Sequence, residues 1–162
     1  SVGVPPAVAV SSPAAPATFR AGDTITVTGF GSTVDDQVLS GTALRWDVVM
    51  AHDDHTHPVT GGTGSSITWS VPLSGSHSWA GRTGYVVTLT ATGPDGLSST
   101  ATLRIDPVKT QIAVSANVPA DVVVDGITLA QPTTIDALVG SEHTISAPTQ
   151  VCVGSTLWRF TG

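Results

Sequence analysis

Leu44-Arg45-Trp46-Asp47-Val48-Val49-Met50 puts Leu44, Trp46, Val48 and Met50 on one side of an extended chain and Arg45 and Asp47 on the other. Side chains alternate across a strand, so this period of two describes a half-buried β-strand with a tryptophan at its centre. The same alternation recurs on both sides of it. Ile25 and Val27 oppose Thr24, Thr26 and Thr28. Tyr85, Val87, Leu89 and Ala91 oppose Val86, Thr88, Thr90 and Thr92. Ala101, Leu103 and Ile105 follow Leu97 inward, with Thr100, Thr102, Arg104 and Asp106 outward. Ala7–Val10 reads as an edge strand beside prolines, and Ile67, Trp69 and Val71 form a short strand stopped by Pro72. About seven short strands with turn signals between them, such as Gly93-Pro94-Asp95-Gly96, are the pattern of an immunoglobulin-like sandwich.

Composition agrees. Gly (17) and Pro (11) are frequent and charged residues are only 11% of the chain, too few to clothe helices. Glu142 is the only glutamate and Lys109 the only lysine. A net charge of −6 with scattered basic residues excludes the basic stripe that nucleic-acid binding needs. No apolar run reaches the length of a membrane helix. The uncharged, Gly/Pro/Thr-rich style fits an extracellular (secreted) bacterial protein. The chain starts without a Met or a signal peptide, so a fragment of a larger protein is expected. Cys152 lies in Val151-Cys152-Val153 and reads as a small buried hydrophobe.

The organisation expected is therefore all-β: a sandwich over residues 1–107, with a linker within 1–18, and a second small β-domain over 108–162. In the second unit, Asp125-Gly126 between β-branched residues signals a hairpin. The chain stops just after the apolar Leu157-Trp158-Arg159-Phe160, so a truncated C-terminus is expected.

Ala21-Gly22-Asp23-Thr24-Ile25-Thr26-Val27, Ala43–Val48 and Tyr85–Thr92 leading into Gly96–Ala101 carry a resemblance to known proteins. Over residues 5–107 the chain resembles a polycystic-kidney-disease-type (PKD) repeat, an immunoglobulin-like sandwich. The Phe-Gly-Asp-Gly usual after the Trp-Asp pair is replaced by Val48-Val49-Met50-Ala51-His52-Asp53-Asp54-His55-Thr56-His57-Pro58. With that string the chain looks like the accessory region of secreted bacterial sugar dehydrogenases of the glucose/sorbosone type, which carry a quinone in a β-propeller. The propeller is not in this sequence, so neither that cofactor nor that catalysis carries over. Val118–Gly126 is similar to small β-domains that follow secreted bacterial enzymes. The resemblance implies a non-catalytic accessory module that binds a polysaccharide or cell-surface glycan, or spaces the domains of a multidomain parent.

Two places could carry chemistry. The first is His52-Asp53-Asp54-His55-Thr56-His57. Were the strand from Leu44 to continue, Asp53, His55 and His57 would share its outer face, and His52 and Asp54 the other. A His-x-His pair with a carboxylate can hold a divalent transition metal such as zinc. Turn-capping and solvated groups are the plainer alternative for the same loop, and polar contact to a carbohydrate is a third. The second place is Trp79 with His77 and Arg82, an aromatic in a Gly/Ser loop that could stack on a sugar. Trp46, Trp69 and Trp158 read as core. Calcium is a further possibility, since PKD-type domains sometimes hold it with loop carboxylates; Asp35, Asp36, Asp47 and Asp95 are the candidates, or solvated turn residues. No base–nucleophile pair is recognisable, so no enzyme is expected.

Overall fold

The computed structural model describes residues 3–75 and 79–159. The fold is all-β; the one helical element among the described residues is a single 3₁₀ turn at Gly41–Ala43. In chain order the strands are β1 (Ala7–Ser12), β2 (Ala17–Phe19), β3 (Thr24–Ser32), β4 (Leu44–His52), β5 (His55–Thr63), β6 (Ser66–Ser70), β7 (Gly84–Thr92) and β8 (Ser98–Pro107). Then come β9 (Lys109–Val114), β10 (Val122–Val124), β11 (Ile127–Leu129), β12 (Thr133–Leu138), β13 (Ile145–Ser146), β14 (Gln150–Val153) and β15 (Thr156–Arg159).

The first eight strands make two sheets, ordered β1-β3-β6 and β2-β8-β7-β4-β5. Their inner faces are the apolar positions of the alternating runs: Ile25, Val27, Leu44, Trp46, Val48, Met50, Ile67, Trp69, Tyr85, Val87, Leu89, Leu103 and Ile105 are all buried in one cluster. The arrangement is sandwich-like, as the period of two requires. Trp46 is fully buried, and its indole N–H donates to Gly64 O at 2.8 Å. Across the core, a Cβ on Gly29 would sit 2.6 Å from Leu89 Cδ2 and 3.0 Å from Trp46 Cη2. The backbone of β3 thus comes as close to these rings as a glycine allows. Outer faces are closed by hydroxyl pairs, Thr26 with Thr68 and Ser11 with Thr28, both at 2.9 Å. Such cross-strand pairs suit a chain poor in charge.

Three strands depart from the sequence reading, the first being β2, which forms at the end of the stretch read as linker and pairs parallel to β8. The segment after Met50, read as a long loop, contains β5, which pairs with β4 along its length through a bulge near Val48. Its two glycines and Pro58 are tolerated because β5 is an edge strand. β14 also lies where no strand was expected; it pairs with β15 as a separate hairpin. The Asp125-Gly126 hairpin forms as expected, both residues taking positive φ (50° and 82°) between β10 and β11.

The later strands have a thin core of their own, with Val114, Val122 and Val124 buried. They also reach into the first core. Leu138, at the end of β12, is 2% exposed and belongs to the Trp46 cluster. The backbone around it is stitched to the sandwich: Ala21 N–H donates to Val139 O (3.0 Å), Val139 N–H to Val108 O (2.9 Å) and Glu142 N–H to Leu73 O (2.8 Å).

A cavity at position 138 should therefore be felt by the whole chain. Leu138→Ala is expected to lower stability by about 2–5 kcal/mol in urea denaturation, with the far-ultraviolet β signal and tryptophan fluorescence shifting together. A loss below about 1 kcal/mol would show that Leu138 does not anchor the later strands.

Candidate functional site

β4 does not continue past His52. Asp53 takes a positive φ of 32°, a conformation that Asp tolerates better than most side chains, and the chain reverses over Asp53-Asp54. His52 and His55 then face each other across the ladder, and His57 faces Met50. Cross-strand partners point to the same side of a sheet. All three imidazoles consequently share the side of Trp46 and Met50, at the end of the sheet. This corrects the expectation that His52 points away from His55 and His57, and that those two lie with Arg45 and Asp47.

The rings gather closely. His52 and His55 are stacked with centroids 5.4 Å apart, His52 and His57 are edge-on at 5.6 Å, and His55 and His57 edge-on at 4.9 Å. Two of them have defined outer partners. Asp54 Oδ1 lies 3.1 Å from His55 Nδ1, and this bond holds the Asp54 carboxyl below its ordinary value. Thr83 Oγ1 lies 3.1 Å from His52 Nδ1 and donates its own proton to Ala80 O at 3.0 Å. Both contacts engage Nδ1 of the ring and so orient the imidazole from behind. In this side-chain arrangement no three ligating groups among the described residues are gathered as a metal-binding set.

Asp53 is not part of the cluster. Its carboxylate accepts the Arg82 backbone N–H at 3.2 Å and fills the space above Gly81. It is a turn residue that ties the hairpin to the 80–83 segment. Lys109 Nζ donates to Gly81 O at 2.7 Å and Arg104 to Arg82 O at 2.9 Å, so that segment is held from three sides.

Of the three residues expected to stack on a sugar, two are described. Trp79 is half-buried, packed on the main core with its ring edge-on to Phe19 at 5.8 Å. Arg82 is exposed, and His77 lies outside the described residues. Trp158, read as core, is instead 44% exposed, and Cys152 is exposed rather than buried. Both belong to the β14–β15 hairpin, which no second layer covers among the described residues. Trp46 and Trp69 are buried as expected. Among the described residues the candidate calcium carboxylates form no metal-binding group; Asp47 pairs with Arg45 at 3.1 Å, and Asp95 accepts the Leu97 N–H at 3.2 Å as a turn residue does.

One arrangement escaped the sequence because its members come from different turns. His143 Nδ1 lies 2.6 Å from Asp125 Oδ2, and its Nε2 lies 2.8 Å from Ser141 Oγ. These are the contacts of a Ser-His-Asp relay. The serine, however, directs its single proton to Leu138 O at 2.6 Å, not to the ring. The neighbouring amides are also committed, Ser141 N–H to Leu138 O and Glu142 N–H to Leu73 O, so they offer nothing to an oxyanion. The relay instead clasps the β10–β11 turn to the segment that docks on the sandwich. Asp125 completes the clasp by accepting the Thr144 N–H at 2.8 Å.

Compared with known protein families, with curated proteins and with solved structures, the chain matches none.

Hydrogen bonding to His143, then to the Thr144 amide, lowers the Asp125 carboxyl below its ordinary 3.8. A depressed carboxyl contributes stability above its unfolded value, and that contribution is lost as pH falls through its folded value. The melting temperature should therefore fall as pH drops below about 4. Asp125→Asn should be less stable at neutral pH by about 1–3 kcal/mol and lose less on acidification. An unchanged acid profile in that variant would remove Asp125 from this role.

Proposed function

We propose that the chain is an immunoglobulin-like, PKD-type sandwich with a following small β-domain, that it serves as a non-catalytic accessory module of a secreted bacterial enzyme acting on carbohydrate, and that its hairpin tip binds a divalent transition metal through His52, His55 and His57. The observation that carries the metal site is the convergence of three imidazoles at 4.9–5.6 Å between centroids. A tetrahedral ion with Zn–N bonds of about 2.0–2.1 Å separates its imidazole centroids by about 5 Å. Outer partners at Nδ1, Asp54 on His55 and Thr83 on His52, are the kind that orient and strengthen imidazole ligands. Three nitrogen ligands favour zinc, copper or nickel over calcium.

The accessory role rests on different support. β1 pairs in one sheet and β2, only a few residues on, pairs parallel to β8 in the other; a first strand that changes sheets is in keeping with an immunoglobulin-like sandwich. The Asp125–His143–Ser141 contact is committed to a structural clasp, which favours a non-catalytic module. The coding region flanking this chain tests the parent: a propeller-type sugar dehydrogenase there supports the reading, and flanks without any catalytic domain overturn it.

Zinc titration by calorimetry tests the site. One equivalent should bind, be released on acidification because a ligating imidazole must shed its proton, and weaken at least about tenfold in His55→Ala/His57→Ala. Calcium should give no heat. Equal zinc affinity in the double variant would sink the metal reading.

A further inference from the structure

The β14–β15 hairpin and the segment before β10 enclose two open recesses that share a wall. Beside Trp158 runs a groove of about 560 Å³, floored by Val118, Ile145 and Val151. Adjoining it lies a recess of about 910 Å³, lined by Asn117, Asp121, Gln131 and Gln150. Asn117, Pro148 and Val151 line both, so the two are one cleft.

The chemistry changes along it. At one end Trp158 is 44% exposed, with Arg159 next to it. Val151, its cross-strand partner, lies beneath it on the same face. At the other end stand side-chain amides and a carboxylate. Gln131 there is unusual: its Nε2 donates to Ala120 O at 2.9 Å, which fixes how the amide faces, and its Oε1 is buried without a hydrogen-bond partner among the described residues. That acceptor is closed off from the recess, so the amides open to a ligand at this end are those of Asn117 and Gln150.

We propose that this cleft binds a neutral polysaccharide strand, with one sugar ring lying on Trp158 and the next units hydrogen-bonded by Asn117 and Gln150. A sugar presents exactly two kinds of surface: an apolar C–H face that suits an aromatic plane, and a rim of hydroxyls that both donate and accept. Amides match that rim because they too donate and accept. Asp121 and Arg159 leave the cleft without a strong single sign, so an uncharged ligand fits better than an acidic one. The site differs in residues and place from Trp79, which is packed on Phe19. It deepens the carbohydrate side of the accessory reading and rests on it only for the class of ligand. The parent enzyme and the metal site stand or fall separately.

Affinity electrophoresis of the intact chain in gels containing hydroxyethyl cellulose, xylan, laminarin or pullulan tests the cleft. At least one polymer should retard the protein. Trp158→Ala should weaken that retardation at least about tenfold, as loss of an aromatic anchor does. Gln150→Ala should weaken it less, and both variants should keep the melting temperature and far-ultraviolet β signal of the unsubstituted chain, which report an intact fold. No retardation by any of the four, or full retardation of a folded Trp158→Ala, overturns the proposal. So does concentration-dependent dimerisation that Trp158→Ala abolishes, since the hairpin would then be covered by a second copy.

Discussion

The structure depends on how closely two sheets approach across Trp46. The indole is fully buried, and it is tolerated there because its N–H reaches Gly64 O. An unbonded indole N–H there would cost about 1–3 kcal/mol, a penalty that the neighbouring Trp69 does carry, since its buried Nε1 has no hydrogen-bond partner among the described residues. The facing strand meets the ring with glycine at position 29, where any Cβ would collide with Leu89 and crowd Trp46. Core density is therefore set by backbone approach as much as by side-chain volume. Around this contact every alternating run has only one workable register, because a one-residue slip would exchange the apolar and threonine faces.

The same rigidity explains where the unusual side chains end up. β4 carries Trp46, Val48 and Met50 inward and still holds that side when it reaches His52. The tight turn at Asp53-Asp54 then returns the chain against its own edge, so His55 and His57 arrive on the same side. A continuing strand, or a loose loop, would have separated them. Asp53 accommodates the positive φ and at the same time pins the 80–83 segment, from which Thr83 holds His52. Clustering of the imidazoles is thus a result of hairpin geometry, with outer partners contributed by a loop about thirty residues away in sequence.

The second half of the molecule is built differently. Its own buried set is small, and large apolar side chains such as Ile127, Ile145 and Trp158 remain exposed. It gains order by borrowing: Leu138 enters the first core, backbone bonds join Val139 to Ala21 and Val108, and the Asp125–His143–Ser141 clasp ties a hairpin turn to that docking segment. Small β-units often need such help, because little of their surface can be buried.

By itself, the sequence determined the all-β class, the inward faces of β3, β4, β7 and β8, the burial of Trp46 and Trp69, and the Asp125-Gly126 hairpin. Each of these follows from local alternation or from a turn that needs positive φ, and both are written in neighbouring residues. Only the tertiary structure decided that Ala51–Gly64 folds back as an edge strand, that His52 joins His55 and His57, that Trp79 packs inward while Trp158 and Cys152 face out, and that Asp125, Ser141 and His143 meet. Those outcomes depend on which strand lies beside which and on what covers each face. A half-apolar hairpin such as β14–β15 has the same alternation whether it is covered or bare, so its exposure is settled by its neighbours alone.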